Sequence, residues 1–327
     1  MRVLFVCDAG PDVGGGHVMR CLTLAGALEQ RGFQPLFLAT PAVADLLDRF
    51  APDMARLPAA ADGLVAAARQ AAADLLVFDH YGLSANDHAA AVGDRPMLVM
   101  DDMADRDLYA DLVVNSGLAH TAADYEPLTP TRPRLLLGPT YAPLRPEFAA
   151  AREAALARRG GPVERIVVTL GLGAVTIAHL MENIRAVVGD AAVDLVVPAA
   201  AEVPSIGPTD WPQLTVHRNV RDMAGLYAAA DLAIGAGGTS AWERCVLGLP
   251  SLNLILAPNQ EPNADAMAAA GAAWAVDGEA PDWEFHQTLL PLLTDTALRA
   301  EMSRTAAALC DGLGADRVAD AILDLVR

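Results

Sequence analysis

Short apolar runs rich in Val, Leu and Phe recur along the chain, and longer Ala- and Leu-rich stretches of helical period separate them. Continuously apolar strands alternating with helices belong to parallel sheets covered on both faces, so the fold class is α/β. In the first half the pattern predicts strands at Arg2–Asp8, Pro35–Thr40, Leu75–Asp79, Met97–Asp101, Leu112–Asn115 and Arg134–Leu137. Helices are predicted near His17–Arg31, Ala42–Phe50, Leu64–Ala72 and Asn86–Val92.

The regular pattern breaks after Leu137, where Pro139, Pro143 and Pro146 precede a charged helix, Phe148–Arg159, and a second breaker, Gly160-Gly161-Pro162. Two domains are therefore expected, 1–145 and 146–327. In the second, strands are predicted at Arg165–Leu170, Val193–Val197, Leu214–His217, Leu232–Gly235 and Ser251–Ala257. Helices are predicted at Ile177–Val188, Met223–Ala229 and Ser240–Leu247, and only helices from about Ala264 to Arg327, the last packing back on the first domain. Two Rossmann-like units stand in tandem, without an internal repeat.

At 327 residues the chain exceeds what one core of ~250–300 residues usually serves. More than half of the residues are apolar, yet no uninterrupted run approaches the ~18 a membrane-spanning helix needs. The N-terminus reads as a first strand and lacks a signal-peptide cleavage pattern, so a soluble, cytoplasmic, monomeric protein is expected. Cys7, Cys21, Cys245 and Cys310 are scattered and fit neither a zinc site nor a disulfide framework. A net charge of −18, with 23 dispersed Lys and Arg, opposes a nucleic-acid partner. An anionic ligand would have to be held by local backbone dipoles.

Two glycine-rich turns carry the candidate chemistry. The first, Asp8 to Cys21, contains Gly14, Gly15, Gly16 and His17 between a strand and a helix, where α/β sheets bind ligands. It lacks the Lys-Ser/Thr of a phosphate loop and the spacing of a dinucleotide fingerprint. A plain tight turn with His17 as helix cap is the alternative. The second turn, Gly235 to Cys245, places Gly237, Gly238, Thr239 and Ser240 where amides and hydroxyls would meet a diphosphate. Glu243 follows Thr239 by four residues, on the same helix face and in reach of ribose hydroxyls, unless it is a merely exposed acid. Asp79-His80-Tyr81-Gly82 and Asn259-Gln260-Glu261 follow strands and suit sugar recognition, while His80 reads equally as a packed histidine. Asp101-Asp102 offers a metal pair without further ligands, and a polar sheet edge is the preferred reading.

The ordered set Gly14-x-Gly16-His17-x-x-Arg20-Cys21, Asp79-His80-Tyr81-Gly82, Asp101-Asp102, Gly138–Phe148, Gly235–Cys245, Leu247-Gly248-Leu249-Pro250, Asn259-Gln260 and Asp311–Val318 resembles a known family. That family is the UDP-2,4-diacetamido-2,4,6-trideoxy-β-L-altropyranose hydrolases of pseudaminic acid synthesis, relatives of the MurG-type glycosyltransferases. The resemblance implies a GT-B fold with two domains facing across a cleft, and inverting, metal-independent hydrolysis of a UDP-sugar without a cofactor. It implies that His17 activates water, that Tyr81 and Asn259 contact the sugar and that Glu243 holds the ribose. Gly14, Gly16, Arg20, Gly237, Gly238, Thr239, Ser240 and Gln260 are the further expected substrate contacts. A neutral imidazole with an ordinary pKa near ~6.5 suits such a base. One departure is Gly171–Thr176, which lacks the acid that the family commonly carries there. A UDP-sugar glycosyltransferase and a non-catalytic nucleotide-sugar binder are the competing readings.

Overall fold

The computed structural model describes residues 1–10, 13–170, 177–198 and 211–327. Its strands are β1 (Arg2–Cys7), β2 (Gln34–Ala39), β3 (Arg56–Pro58), β4 (Leu75–Asp79), β5 (Met97–Met100), β6 (Leu112–Asn115), β7 (Arg134–Leu137), β8 (Arg165–Thr169), β9 (Ala192–Val197), β10 (Leu214–Arg218), β11 (Leu232–Ala236), β12 (Ser251–Ile255) and β13 (Trp274–Asp277). Its helices are α1 (Gly16–Glu29), α2 (Pro41–Phe50), α3 (Leu64–Gln70), α4 (Ala85–Val92), α5 (Ala122–Tyr125), α6 (Pro146–Ala157), α7 (Ile177–Val187), α8 (Met223–Ala229), α9 (Ser240–Val246), α10 (Glu261–Ala269), α11 (Asp282–Thr294), α12 (Thr296–Leu309) and α13 (Gly314–Leu325). The chain divides into two compact units, Met1–Arg145 with Leu313–Arg327, and Pro146–Gly312.

The first unit is built on a seven-stranded sheet of order β3-β2-β1-β4-β5-β6-β7, parallel throughout. Strands buried on both faces explain the unbroken apolar runs. Phe5 and Phe37 stack at 4.8 Å on the face covered by α1, α2 and α13, while Leu4, Val6, Phe78 and Tyr125 pack the other face. The winding reverses between β1 and β4, whose ends pair Cys7 with Asp79. The crevice at that reversal is where such sheets take ligands.

Helix α13 joins this unit because its apolar stripe, Val318, Ala319 and Ile322, is buried with α1 in one core. Val318 and Ile322 contribute roughly 1.5–3 kcal/mol each when fully buried, and Ala319 less. Arg31 grips the helix through Asp316 at 3.0 Å and Asp320 at 2.7 Å. Gly314 lets it start against the 139–142 turn, since a Cβ there would stand 2.2 Å from the Ala142 carbonyl oxygen.

The second unit carries a six-stranded parallel sheet of order β10-β9-β8-β11-β12-β13, reversing between β8 and β11. Ile166, Val168, Leu195, Ile234 and Leu254 form its core with Phe285 and Leu289 of α11. Arg152 of α6 donates to carbonyls at the C-terminal ends of α9 and α12, those of Val246, Ala307 and Cys310, where a cation also meets the helix dipoles.

Two strands depart from the sequence expectation. β3 was not foreseen, and β13 lies inside the stretch read as helical. Both are short edge strands with one neighbour each, β2 and β12, so pairing with that neighbour decides them where their own pattern does not.

Candidate active site

The turn after β1 closes on itself: Gly14 donates to the Gly10 carbonyl at 2.8 Å, and Gly10 returns a longer bond at 3.3 Å. Gly14 adopts φ +70°, a left-handed conformation that favours glycine. Gly15 is the N-cap of α1 and Gly16 its first residue, so His17 stands in the first turn and is not the cap. Its side chain points instead to β4, where Nδ1 lies 2.5 Å from Asp79 Oδ1.

Asp79 is fully buried and is the hub of the cluster. Arg20 donates to it through Nε at 2.6 Å and Nη2 at 2.5 Å, and Cys21 Sγ lies 3.6 Å from Oδ2. Burial by itself would raise the Asp79 carboxyl, but Arg20 and then His17 outweigh it and hold the group well below the ordinary carboxylate range. Arg20 bridges onward to Asp102 Oδ1 at 2.8 Å, and Tyr81 donates its hydroxyl to Asp102 Oδ2 at 2.8 Å. Burial opposes the charge on Arg20 too, yet Asp102 and Asp79 raise it well above its ordinary value. The Tyr81 ring meets the His17 imidazole edge-on at 4.5 Å.

These contacts assign the His17 tautomer. A carboxylate held ionised only accepts, so Nδ1 carries the hydrogen and donates it to Asp79. Arg20 Nη2, also a donor, stands 3.2 Å from the same nitrogen and loses to Asp79 on distance and charge. In the neutral ring the lone pair is therefore on Nε2, which has no protein partner among the described residues. The arrangement can accept a proton at a fixed point.

Arg20, expected as a substrate contact, is held by protein groups in this structure. It is 5% exposed and its guanidinium is committed to two carboxylates, so it positions Asp79. The Tyr81 hydroxyl likewise gives its hydrogen to Asp102. Asp101 accepts from Arg106 at 2.6 Å, from Tyr125 at 2.7 Å and from the Ala104 amide at 2.8 Å, and Asp102 serves Arg20 and Tyr81. Asp101-Asp102 is thus an anchor for donors rather than a metal pair. His80 accepts from the Gly82 amide at 3.0 Å and shapes its own loop.

The second turn joins β11 to α9. Here the Gly237 amide donates to the Leu254 carbonyl at 3.1 Å, extending the sheet, so this N–H is already used within the protein. Gly238, Thr239 and Ser240 are half-buried beyond it, and a Cβ on Gly238 would meet nothing within 4 Å. Thr239 makes no side-chain cap bond. Glu243 is half-buried on the first turn of α9. Gln260, on the 3-10 turn Pro258–Gln260, accepts from the Leu256 amide at 3.2 Å, with its Cβ 3.7 Å from where a Gly237 side chain would start. Gln260 thus adjoins the turn, and Asn259 beside it is exposed. Gly171–Thr176, the point of departure from the family pattern, lies outside the described residues. A cavity of about 600 Å³ lined by Arg2, Gln34 and Ala72 opens at the opposite, N-terminal edge of the first sheet.

Asp79, Asp102 and Arg244 lie in motifs that the sequence singled out, yet the contacts of Asp79 with His17, of Asp102 with Arg20 and of Arg244 behind the second turn were not expected. Asp79 had a legible signal, an acid closing the apolar strand Leu75-Leu76-Val77-Phe78 beside the strand that leads into the glycine turn.

Two parallel-sheet α/β units of seven and six strands match the GT-B fold, and residues 173–318 match the glycosyltransferase family 28 C-terminal domain. The solved structure of Acinetobacter baumannii MurG shares the fold with a TM-score of 0.69 at 18% identity, over 99% of each chain. Over 346 residues the chain is 26% identical to the spore coat polysaccharide biosynthesis protein SpsG of Bacillus subtilis, covering 99% of this chain and 98% of that one. It is 31% identical over 193 residues to the UDP-N-acetylglucosamine--N-acetylmuramyl-(pentapeptide) pyrophosphoryl-undecaprenol N-acetylglucosamine transferase of Xanthomonas campestris, 55% of this chain and 45% of that protein. It is 28% identical over 150 residues to the UDP-2,4-diacetamido-2,4,6-trideoxy-beta-L-altropyranose hydrolase of Campylobacter jejuni, 45% of this chain and 53% of that protein. These last two matches span about half the length of each relative. No helix among the described residues is long and apolar enough to cross a membrane.

Proposed function

We propose that this protein is a UDP-sugar hydrolase in which the first unit supplies the base and the second holds the nucleotide. The observation that carries the reading is the His17–Asp79 pair, an imidazole with Nδ1–H tied to a buried carboxylate and Nε2 left to take a proton. In the proposed reaction Nε2 removes a proton from water as its oxygen attacks the anomeric carbon. The bond from that carbon to the UDP oxygen breaks on the opposite face, and UDP leaves with the electron pair. Asp79 stabilises the imidazolium as it forms, and Arg20 keeps Asp79 ionised. The departing diphosphate is met by the Gly238–Ser240 turn.

The nucleotide is supported by the family 28 match and the relatives that carry UDP in their names. The sugar in this reading is UDP-2,4-diacetamido-2,4,6-trideoxy-β-L-altropyranose, supported by the partial likeness to the Campylobacter jejuni hydrolase. A glycosyltransferase is the second reading, favoured by the family 28 match, and would use the same base on an acceptor hydroxyl.

NMR of the protein with a panel of UDP-sugars, with and without EDTA and candidate acceptors, tests both. UDP release with water as acceptor and an inverted free sugar is expected. Turnover only on adding an acceptor would replace the hydrolase with the transferase. His17→Phe is expected to bind UDP normally and to lose roughly 100- to 10,000-fold in turnover.

A further inference from the structure

Behind the second turn lies a buried cation. Arg244 of α9 is 1% exposed, and its hydrogen-bond partners are all neutral. Nη2 donates to the Ala236 carbonyl at 2.9 Å and to Asn253 Oδ1 at 2.7 Å, and Nη1 reaches Ser240 Oγ at 3.3 Å. The Tyr227 hydroxyl feels the guanidinium charge, while Nε is buried with no hydrogen-bond partner among the described residues. Gly235 makes room for the group, since a Cβ there would stand 3.2 Å from Nη1. The guanidinium thus sits where the second sheet reverses, among residues of β11, β12 and the turn.

A buried charge that forms no ion pair among the described residues is costly, even with the Glu243 carboxylate in electrostatic reach of the neighbouring Tyr227, and it is compensated when an anion arrives nearby. Two details point to the turn as the place. Ser240 Oγ accepts from Arg244, so its own hydrogen remains to donate elsewhere. The Ala236–Gly237 peptide is held at both ends, its oxygen by Arg244 and its amide by Leu254, so the turn is fixed before any ligand comes. In a chain of net charge −18, this is local positive charge where the general field repels anions.

We infer that Arg244 is a positioning residue for a diphosphate, acting through Ser240 and the Ala236–Gly237 peptide, and that it sets the second unit's preference for nucleoside diphosphates over monophosphates and nucleosides. The inference rests on the reading of this unit as the nucleotide holder. Its site is the Arg244-backed turn, Gly238 to Ser240, and its selectivity is electrostatic.

Calorimetric titration of the full chain with UDP, UMP and uridine tests it, using wild type, Arg244→Met, Arg244→Lys and Ser240→Ala. Arg244→Met is expected to weaken UDP about 10- to 100-fold while leaving uridine unchanged, the scale of a lost charge-assisted contact. Arg244→Lys retains most of the UDP-to-uridine ratio, and Ser240→Ala weakens UDP in the same direction without adding fully to Arg244→Met. An unchanged ratio in Arg244→Met, or an equal loss of UDP and uridine, would overturn the role. Should Arg244→Met not fold, the Lys and Ser240→Ala ratios decide by the same criterion. Wild type that binds no UDP would instead remove the nucleotide reading itself, a distinguishable failure.

Discussion

The two glycine turns share a plan of strand, turn and helix with an arginine buried behind, and they differ in how that arginine is neutralised. Arg20 lies between Asp79 and Asp102, whereas the hydrogen bonds of Arg244 among the described residues go to carbonyl, amide and hydroxyl oxygens. Two carboxylates around one cation leave a net negative cluster that can steady a protonated imidazole. One cation among neutral acceptors leaves a net positive place that suits an anion. In the proposed reading the same supersecondary device serves as a base in one unit and as an anion seat in the other, and the partner of the arginine decides which.

The sharpest way to break this contrast is to neutralise Asp79 without changing its shape. Asp79→Asn is expected to cut turnover roughly 100- to 10,000-fold, since an amide no longer favours the Nδ1–H tautomer. UDP affinity, measured by titration, stays as in wild type because the second turn is untouched. A parallel loss of affinity would show that the two turns are not functionally separable.

Arg20→Met comes next. It leaves Asp79 and Asp102 without their shared cation and is expected to cost about 3–5 kcal/mol in denaturant unfolding. Arg244→Met, which strands no carboxylate, is expected to cost markedly less in the same measurement.

The smallest effect separates the units by pH. His88 of α4 is buried against Phe78 with both ring nitrogens unpartnered. Burial, and then the Arg106 charge, push it down to about 4. The unfolded chain takes up this proton near the ordinary value of ~6.5, the folded chain only near the depressed one, so stability is whole above the first and is lost as pH falls toward the second. The loss amounts to about 3 kcal/mol. Hydrogen exchange across that window is expected to locate the weakening in the first unit, and His88→Leu to remove it.

Most strands and helices were legible because a buried parallel strand must be apolar along its length and a covering helix along one stripe. β3 and β13 were not, since a short edge strand is specified by the neighbour it joins. His17 stood out in the sequence as a candidate through the three glycines before it. Its partner was harder to see, because Asp79 is distant in sequence and reaches His17 through β1–β4 pairing. Arg244 reads in sequence like any charge on a helix, and only its burial distinguishes it.

Local chemistry therefore sufficed for the α/β class, for most elements and for the two glycine turns, each being a property of a few adjacent residues. Sheet order, the seat of α13 in the first unit, the tautomer of His17 and the loss of the Gly237 amide to Leu254 were decided in three dimensions. Each depends on which groups folding brings within hydrogen-bond reach, and a buried polar group takes the partner that is there.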